Sequence, residues 1–260
     1  MDRLRELQKN WEGLARTDPL WAICTDPLKK NNGWSREEFF ATGRDEIARV
    51  VSCVESLGQK LDWSAPALDF GCGVGRLTRA MAEHFRKCWG VDISPTMVRM
   101  AEEFNADRPQ CHFLLNEGDQ LAGLPENHFG FIYTSIVLQH IPETITRKYL
   151  QEMVRVLKPG GVLVFQIPAA LRGSALARLR HKLALRSRLR KLLRKQDGYV
   201  MEMHCMAEDD VRAVIAACGA RVVDARLTNS CDPSFNGKLR YLDREPEQGF
   251  VSTQYCVTKG

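Results

Sequence analysis

Short apolar runs alternating with helical patterns predict an α/β protein: a doubly wound, mostly parallel, seven-stranded sheet with an N-terminal helical cap and a late helical lid insertion. Three observations carry that expectation. Residues 67–82, ALDFGCGVGRLTRAMA, pass from an apolar run through three closely spaced glycines into a helical pattern. A second apolar run, CWGV at 88–91, ends in Asp92. Further runs at 111–115, 129–134, 162–167, 220–227 and 249–258 bring the strands to seven, with helical segments between most of them. The chain then divides into a helical cap (1–45), a core (46–168), a basic helical lid insertion (169–206) and a return to the core sheet (207–260).

Composition narrows the class. A chain of 260 residues with 44% hydrophobic content can bury one large core. The start, MDRLRELQKNWEGLAR, is charged and amphipathic with no apolar h-region, and no later run approaches membrane-spanning length. A cytoplasmic protein without a transmembrane segment is expected. The nine cysteines are scattered singly with no C-x-x-C pair, which points to reduced thiols and no metal site.

In chain order, the cap holds helical pieces separated by proline and glycine, with Trp11, Trp21, Trp34, Phe39 and Phe40 concentrated before the core begins. The first strand ends near Asp69 and runs into Gly71, Gly73 and Gly75, residues that tolerate positive φ and close approach of a ligand. A nucleoside cofactor is the natural occupant of such a strand, turn and helix. A dinucleotide fingerprint would need G-x-G-x-x-G, yet here the third glycine comes one residue early and Arg76 stands in the expected place. Asp69 would also set an anion close to a pyrophosphate, so a cationic ligand suits the turn better. Asp92, at the end of the second strand, can accept from ribose hydroxyls. Ser94 and Pro95 then read as N-cap and first helical residue, with Met97, Val98 and Ala101 on the apolar face.

The third strand leads into a polar loop, NEGDQ at 116–120, and the fourth into a loop carrying Ser135, Gln139 and His140. An amphipathic helix over 143–157 closes at Lys158-Pro159-Gly160-Gly161 before the fifth strand. Asp69, Asp92, the 116–120 loop and Ser135 all fall at carboxyl ends of strands, where open α/β sheets bind ligands. Residues 172–195 carry ten Arg and Lys side chains and no acid, with leucines at near-helical spacing. The whole chain is +5, so the remainder without that segment is about −5. The segment reads as a lid whose leucines pack over the site, or as a docking element for an acidic partner, nucleic acid or an anionic surface. After it come a crossing at 198–206, a helix over 207–218, and the last two strands joined by a polar link.

The acidic residue followed by G-x-G-x-G, the H-I-P after the fourth strand and the LKPGG turn make residues 47–168 resemble the class I S-adenosylmethionine (SAM) dependent methyltransferases. The resemblance implies a Rossmann-like sheet whose last strand is antiparallel and inserted between the fifth and sixth. It implies SAM as cofactor, with Asp69, Gly71, Gly73 and Arg76 in the first motif and Asp92, Ile93 and Met97 after the second strand. Glu117, Gly118 and Asp119 are open alternatives beside the adenine, and Ser135 and Ile136 follow the fourth strand. A segment before the first strand is expected over the methionine end, with Gly43 and Arg44 of FATGR as candidates. His140 stands as a general base or as a pocket and loop-ordering residue, with His204 and Tyr199 behind it. The family usually has aspartate where this chain has Gly130, which implies a small loss of local stability. The activity implied is methyl transfer to an O or N atom of a small-molecule acceptor. The alternatives are an RNA or ribosome-associated methyltransferase holding phosphates with 172–195, and a non-catalytic interaction protein of the same fold.

Overall fold

The computed structural model describes residues 2–174, 176, 179 and 201–260. Seven strands form one sheet in the order β3-β2-β1-β4-β5-β7-β6. They are β1 (Ala67–Phe70), β2 (Cys88–Asp92), β3 (Cys111–Leu115), β4 (Phe129–Thr134), β5 (Leu157–Arg172), β6 (Ala220–Thr228) and β7 (Gly249–Lys259). Neighbours from β3 to β5 pair parallel, whereas β7 is antiparallel to both β5 and β6. The expected Rossmann-like topology is therefore present. Strand order reverses between β1 and β4, which opens a crevice at their carboxyl ends.

Local sequence explains the helices that frame this crevice. In α3 (Arg36–Ser56) Ser35 accepts from the Glu38 amide at 3.2 Å and Glu38 reaches back to the Ser35 N–H, a reciprocal cap. The division drawn after residue 45 thus falls inside one continuous helix, because this cap lies upstream and Ile47, Val50 and Val54 continue its buried face against the sheet. The helix α4 (Arg76–Met81) follows the glycine turn directly. In α5 (Pro95–Phe104) the Ser94 hydroxyl accepts from the Met97 amide with Pro95 at the first position, as the sequence predicts. The helix α6 (Glu143–Val156) precedes β5, and α7 (Glu208–Ala217) precedes β6.

Two further differences from expectation have physical causes. The fifth strand continues beyond 162–167 to Arg172, because β7 pairs with it from Val162↔Thr258 to Arg172↔Gly249; Pro168 is accommodated where the register shifts. The boundary at residue 168 therefore lies within a strand. Gly130 is required by close packing: a Cβ added there would meet the Ala65 Cβ at 2.7 Å. Absence of the usual aspartate is thus a steric fit in this chain.

The core lies on both faces of the sheet. Phe129, Ile132, Leu163, Phe165 and Tyr255 pack towards α6 and α7, and Phe131, Tyr133 and Val164 towards α3 and α4. A third cluster joins the N-terminal helices α1 (Asp2–Thr17) and α2 (Pro19–Ile23) to Phe39, Phe40, Val74 and Met97. The cap thus sits over the mouth of the crevice. Among the described residues no helix is long and apolar enough to cross a membrane.

Candidate active site

The chain turns sharply between β1 and α4, with φ of +75°, +53° and +82° at Gly71, Gly73 and Gly75. The turn is tied down from β2: Asp92 Oδ2 accepts from the Gly73 N–H and Oδ1 from the Ser94 N–H, both at 2.9 Å. Partial burial raises the Asp92 pKa, and those two N–H groups work against the rise. Around the turn opens a cleft with about 860 Å³ of non-atom space, counted out to where it meets solvent.

Of the residues singled out in the sequence, Gly71, Gly73, Arg76, Asp92, Ile93, Met97, Ser135 and Ile136 all line this cleft. Asp69 lies just behind it, 1% exposed. Its Oδ2 accepts from the Thr78 hydroxyl at 2.7 Å, while Oδ1 has no hydrogen-bond partner among the described residues. Burial lifts its pKa to about 7, despite the Thr78 hydroxyl and the nearby Arg76 charge. Arg76 is itself 2% exposed and pairs with fully buried Glu46 at 2.8 Å, which also accepts from the Tyr133 hydroxyl at 2.7 Å. The guanidinium charge is thereby offset.

Other candidates sit elsewhere. Gly43 faces α4, where an added Cβ would lie 2.6 Å from the Arg76 carbonyl, and Arg44 is exposed. Neither lines the cleft, because α3 turns both away from it. Glu117 and Gly118 are exposed: Glu117 accepts from Gln8 Nε2 at 2.6 Å and the Gly118 carbonyl from the Tyr149 hydroxyl at 2.6 Å. Asp119 accepts from Lys148 Nζ at 2.5 Å. From the 116–120 loop it is Asn116 that reaches the cleft wall.

His140 is buried next to the cleft, its ring 5.2 Å from that of Trp11 in an edge-on arrangement. Its Nδ1 lies 2.7 Å from the Glu202 carbonyl, which can only accept, so Nδ1 carries the proton. The Nε2 then accepts from Gln139 Nε2 at 3.1 Å. Burial holds the ring neutral, with its pKa lowered to about 4. Both nitrogens are engaged, an arrangement suited to ordering the loop. His204 donates its backbone N–H to the Gln139 carbonyl at 2.7 Å, with its ring 3.1 Å from Glu202 Oε2. Tyr199 lies outside the described residues, as does most of the basic segment.

Sequence reasoning missed the outer wall. Leu7 and Trp11 of α1, Ala22 and Ile23 of α2, and Tyr149 of α6 line the cleft. The helix α1 is stitched across it: Gln8 Nε2 donates to the Ile93 carbonyl at 3.3 Å, and Glu12 accepts from Ser94 Oγ, Thr96 N and Thr96 Oγ1 at 2.7, 3.1 and 2.6 Å. Burial works to raise the Glu12 pKa, but these bonds outweigh it and hold the group at about 2. The sequence signal for this wall is the amphipathic N-terminal helix carrying Trp11.

Comparison with known proteins agrees with the fold. A family model described as a methyltransferase domain matches residues 68–165. The chain is 33% identical over 134 residues to a trans-aconitate 2-methyltransferase from Azoarcus sp., covering 51% of this chain and 47% of that protein. It spans about half the length, or less, of the first curated relatives it matches. Among solved structures it superposes on a SAM-dependent methyltransferase from Clostridium acetobutylicum with a TM-score of 0.58 at 16% identity, covering 90% of this chain and 96% of that one. A magnesium protoporphyrin IX methyltransferase from Synechocystis, solved with bound S-adenosylhomocysteine, gives 0.56 at 17% identity, with 93% of each chain covered.

Proposed function

We propose, from the match of residues 68–165 to a methyltransferase domain, that this chain is a SAM-dependent methyltransferase that methylates an O or N atom of a small-molecule acceptor. The observation that carries this reading is the convergence of the glycine turn, Asp92 and the Ser135–Ile136 backbone on one cleft at the point where strand order reverses. The side chains present fit a cation bearing a ribose. Two carboxylates, Asp69 and Asp92, stand at the turn, one with an oxygen lacking a partner among the described residues, and the arginine there is already paired. A pyrophosphate would meet repulsion from both acids.

When bound, SAM supplies an electrophilic methyl group on a positively charged sulfur. The protein's task is then alignment and exclusion of water. Asp92 would hold the ribose hydroxyls while keeping the turn in place through Gly73. Asp69 would supply negative charge near the methionine end. Trp11, Ile23 and Val137 close the cleft with apolar surface, and neutral His140 orders the loop beside it. The name of the trans-aconitate methyltransferase relative supports a small acceptor.

The direct test is turnover of isotopically labelled SAM in the presence of metabolite extract, reading label in small products. Label appearing only in RNA would favour the reading based on the ten basic side chains of 172–195. Leu176 and Leu179 in that stretch are 63% and 52% exposed. Cofactor binding with no labelled product of either kind would favour an interaction protein.

A further inference from the structure

We infer that Gln166, inside the sheet on β5, is a positioning residue that fixes the cofactor-facing backbone at Ile136; this rests on the methyltransferase reading above. Ile136 has φ +54°, a left-handed conformation that a β-branched residue rarely adopts. It lines the cleft with Ser135 and Val137. Its N–H donates to Gln166 Oε1 at 3.1 Å. Gln166 is fully buried and far along the chain from the loop it serves.

The Ile136 N–H, which can only donate, dictates the orientation of the Gln166 amide. Its Nε2 donates to Ser252 Oγ at 2.9 Å and to Cys231 Sγ at 3.4 Å. A flipped amide would set an NH₂ against the Ile136 N–H, donor against donor. From Cys231 the bonds continue in one sense: the thiol donates to Gln139 Oε1 at 3.2 Å, Gln139 Nε2 to His140 Nε2, and His140 Nδ1 to the Glu202 carbonyl. Each donor–acceptor choice follows from its neighbour. The series links β5, β7, the segment after β6 and the residues around Glu202 to one strained peptide in the cleft wall. A buried glutamine in an interior strand is costly unless its amide is hydrogen-bonded, and here both ends of the amide are.

If Gln166 acts through the conformation of Ile136, glycine at 136 removes the need for it, because glycine adopts positive φ at little cost. The test is a double-mutant cycle of Gln166→Leu and Ile136→Gly, reading S-adenosylhomocysteine affinity by calorimetry. Gln166→Leu should weaken binding about tenfold in the natural background, the effect of losing about one net hydrogen bond. In the Ile136→Gly background it should change affinity by less than about twofold. Equal losses in both backgrounds, or no loss in the first, would overturn the inference. Should Gln166→Leu not fold, Ser252→Ala, which removes one anchor of the Gln166 amide, enters the same cycle with the same criterion.

Amide exchange in the ligand-free protein reads the same bond without cofactor. Exchange at Ile136 N–H should quicken at least about tenfold in the variant while β4 amides keep their protection; unchanged exchange at Ile136 would overturn the inference. Failure of the unaltered protein to bind S-adenosylhomocysteine would instead count against the methyltransferase reading, leaving the exchange result to decide the role of Gln166.

Discussion

Asp92 accepts two backbone N–H bonds, from the turn and from the start of α5, while its edge still lines the cleft, so it holds the turn in shape and stands where a ligand would meet it. Asp92→Ala should weaken SAM binding by about 1.5 to 3 kcal/mol with the fold retained, measured by calorimetry. Asp69 and His140 separate two pH effects. The Asp69 pKa, raised to about 7 by burial, means that its burial costs nothing below about pH 4 and costs progressively more stability as pH rises through 7. Binding of a cation favours the ionised carboxylate. SAM affinity should therefore rise between pH 6 and 8, and Asp69→Asn should flatten that rise. His140, at about 4, stays neutral across the same range and should contribute no inflection to kcat between pH 6 and 8. A kcat inflection near 6.5 that disappears in His140→Gln would reinstate the histidine as a base.

At the scale of elements, the glycine turn, β2 with Asp92 and the capped start of α5 were readable because each has a local cause: positive φ, an acid at a strand end, and a serine–proline cap. The helix of the outer wall has a local pattern but its placement does not, since Glu12 meets Ser94 and Thr96 across 82 and 84 residues and no local pattern encodes such a pairing. The same holds for Gly130, whose neighbour Ala65 is distant in sequence, and for the far end of β5, whose partners come from β7. Two predictions belong here. Gly130→Asp should destabilise the protein by about 1 to 3 kcal/mol, since an added side chain overpacks against Ala65, measurable as a lower denaturant midpoint. Glu12→Ala should release α1 from α5 and speed dissociation of S-adenosylhomocysteine several-fold in a stopped-flow displacement experiment. An unchanged rate would mean that α1 does not gate the cleft. Acidification should mimic the variant only late: the Glu12 contribution is complete above about pH 4.5 and is lost as pH falls towards 2.

For the whole molecule, the fold was legible from the alternation of strands and helices, and the position of the site from acids falling at strand ends. The acceptor was not, because the outer lining of the cleft, with Leu7, Trp11, Ile23 and Tyr149, comes from residues remote in sequence. The charge distribution sets up the remaining contrast, with ten basic side chains in 172–195 on an otherwise acidic chain. If that segment serves as a lid, Leu183→Asp should reduce acceptor turnover more than the double change Arg186→Ala, Arg190→Ala. A nucleic-acid arm would reverse the order and lose about one unit of salt slope for each phosphate contact removed. The central claim is that the cleft holds a sulfonium nucleoside, and calorimetric titration of the full chain with SAM, S-adenosylhomocysteine and NAD tests it most directly. Saturable binding of both sulfur nucleosides with NAD at least about a hundredfold weaker is the predicted result; NAD binding tighter than S-adenosylhomocysteine would contradict the account.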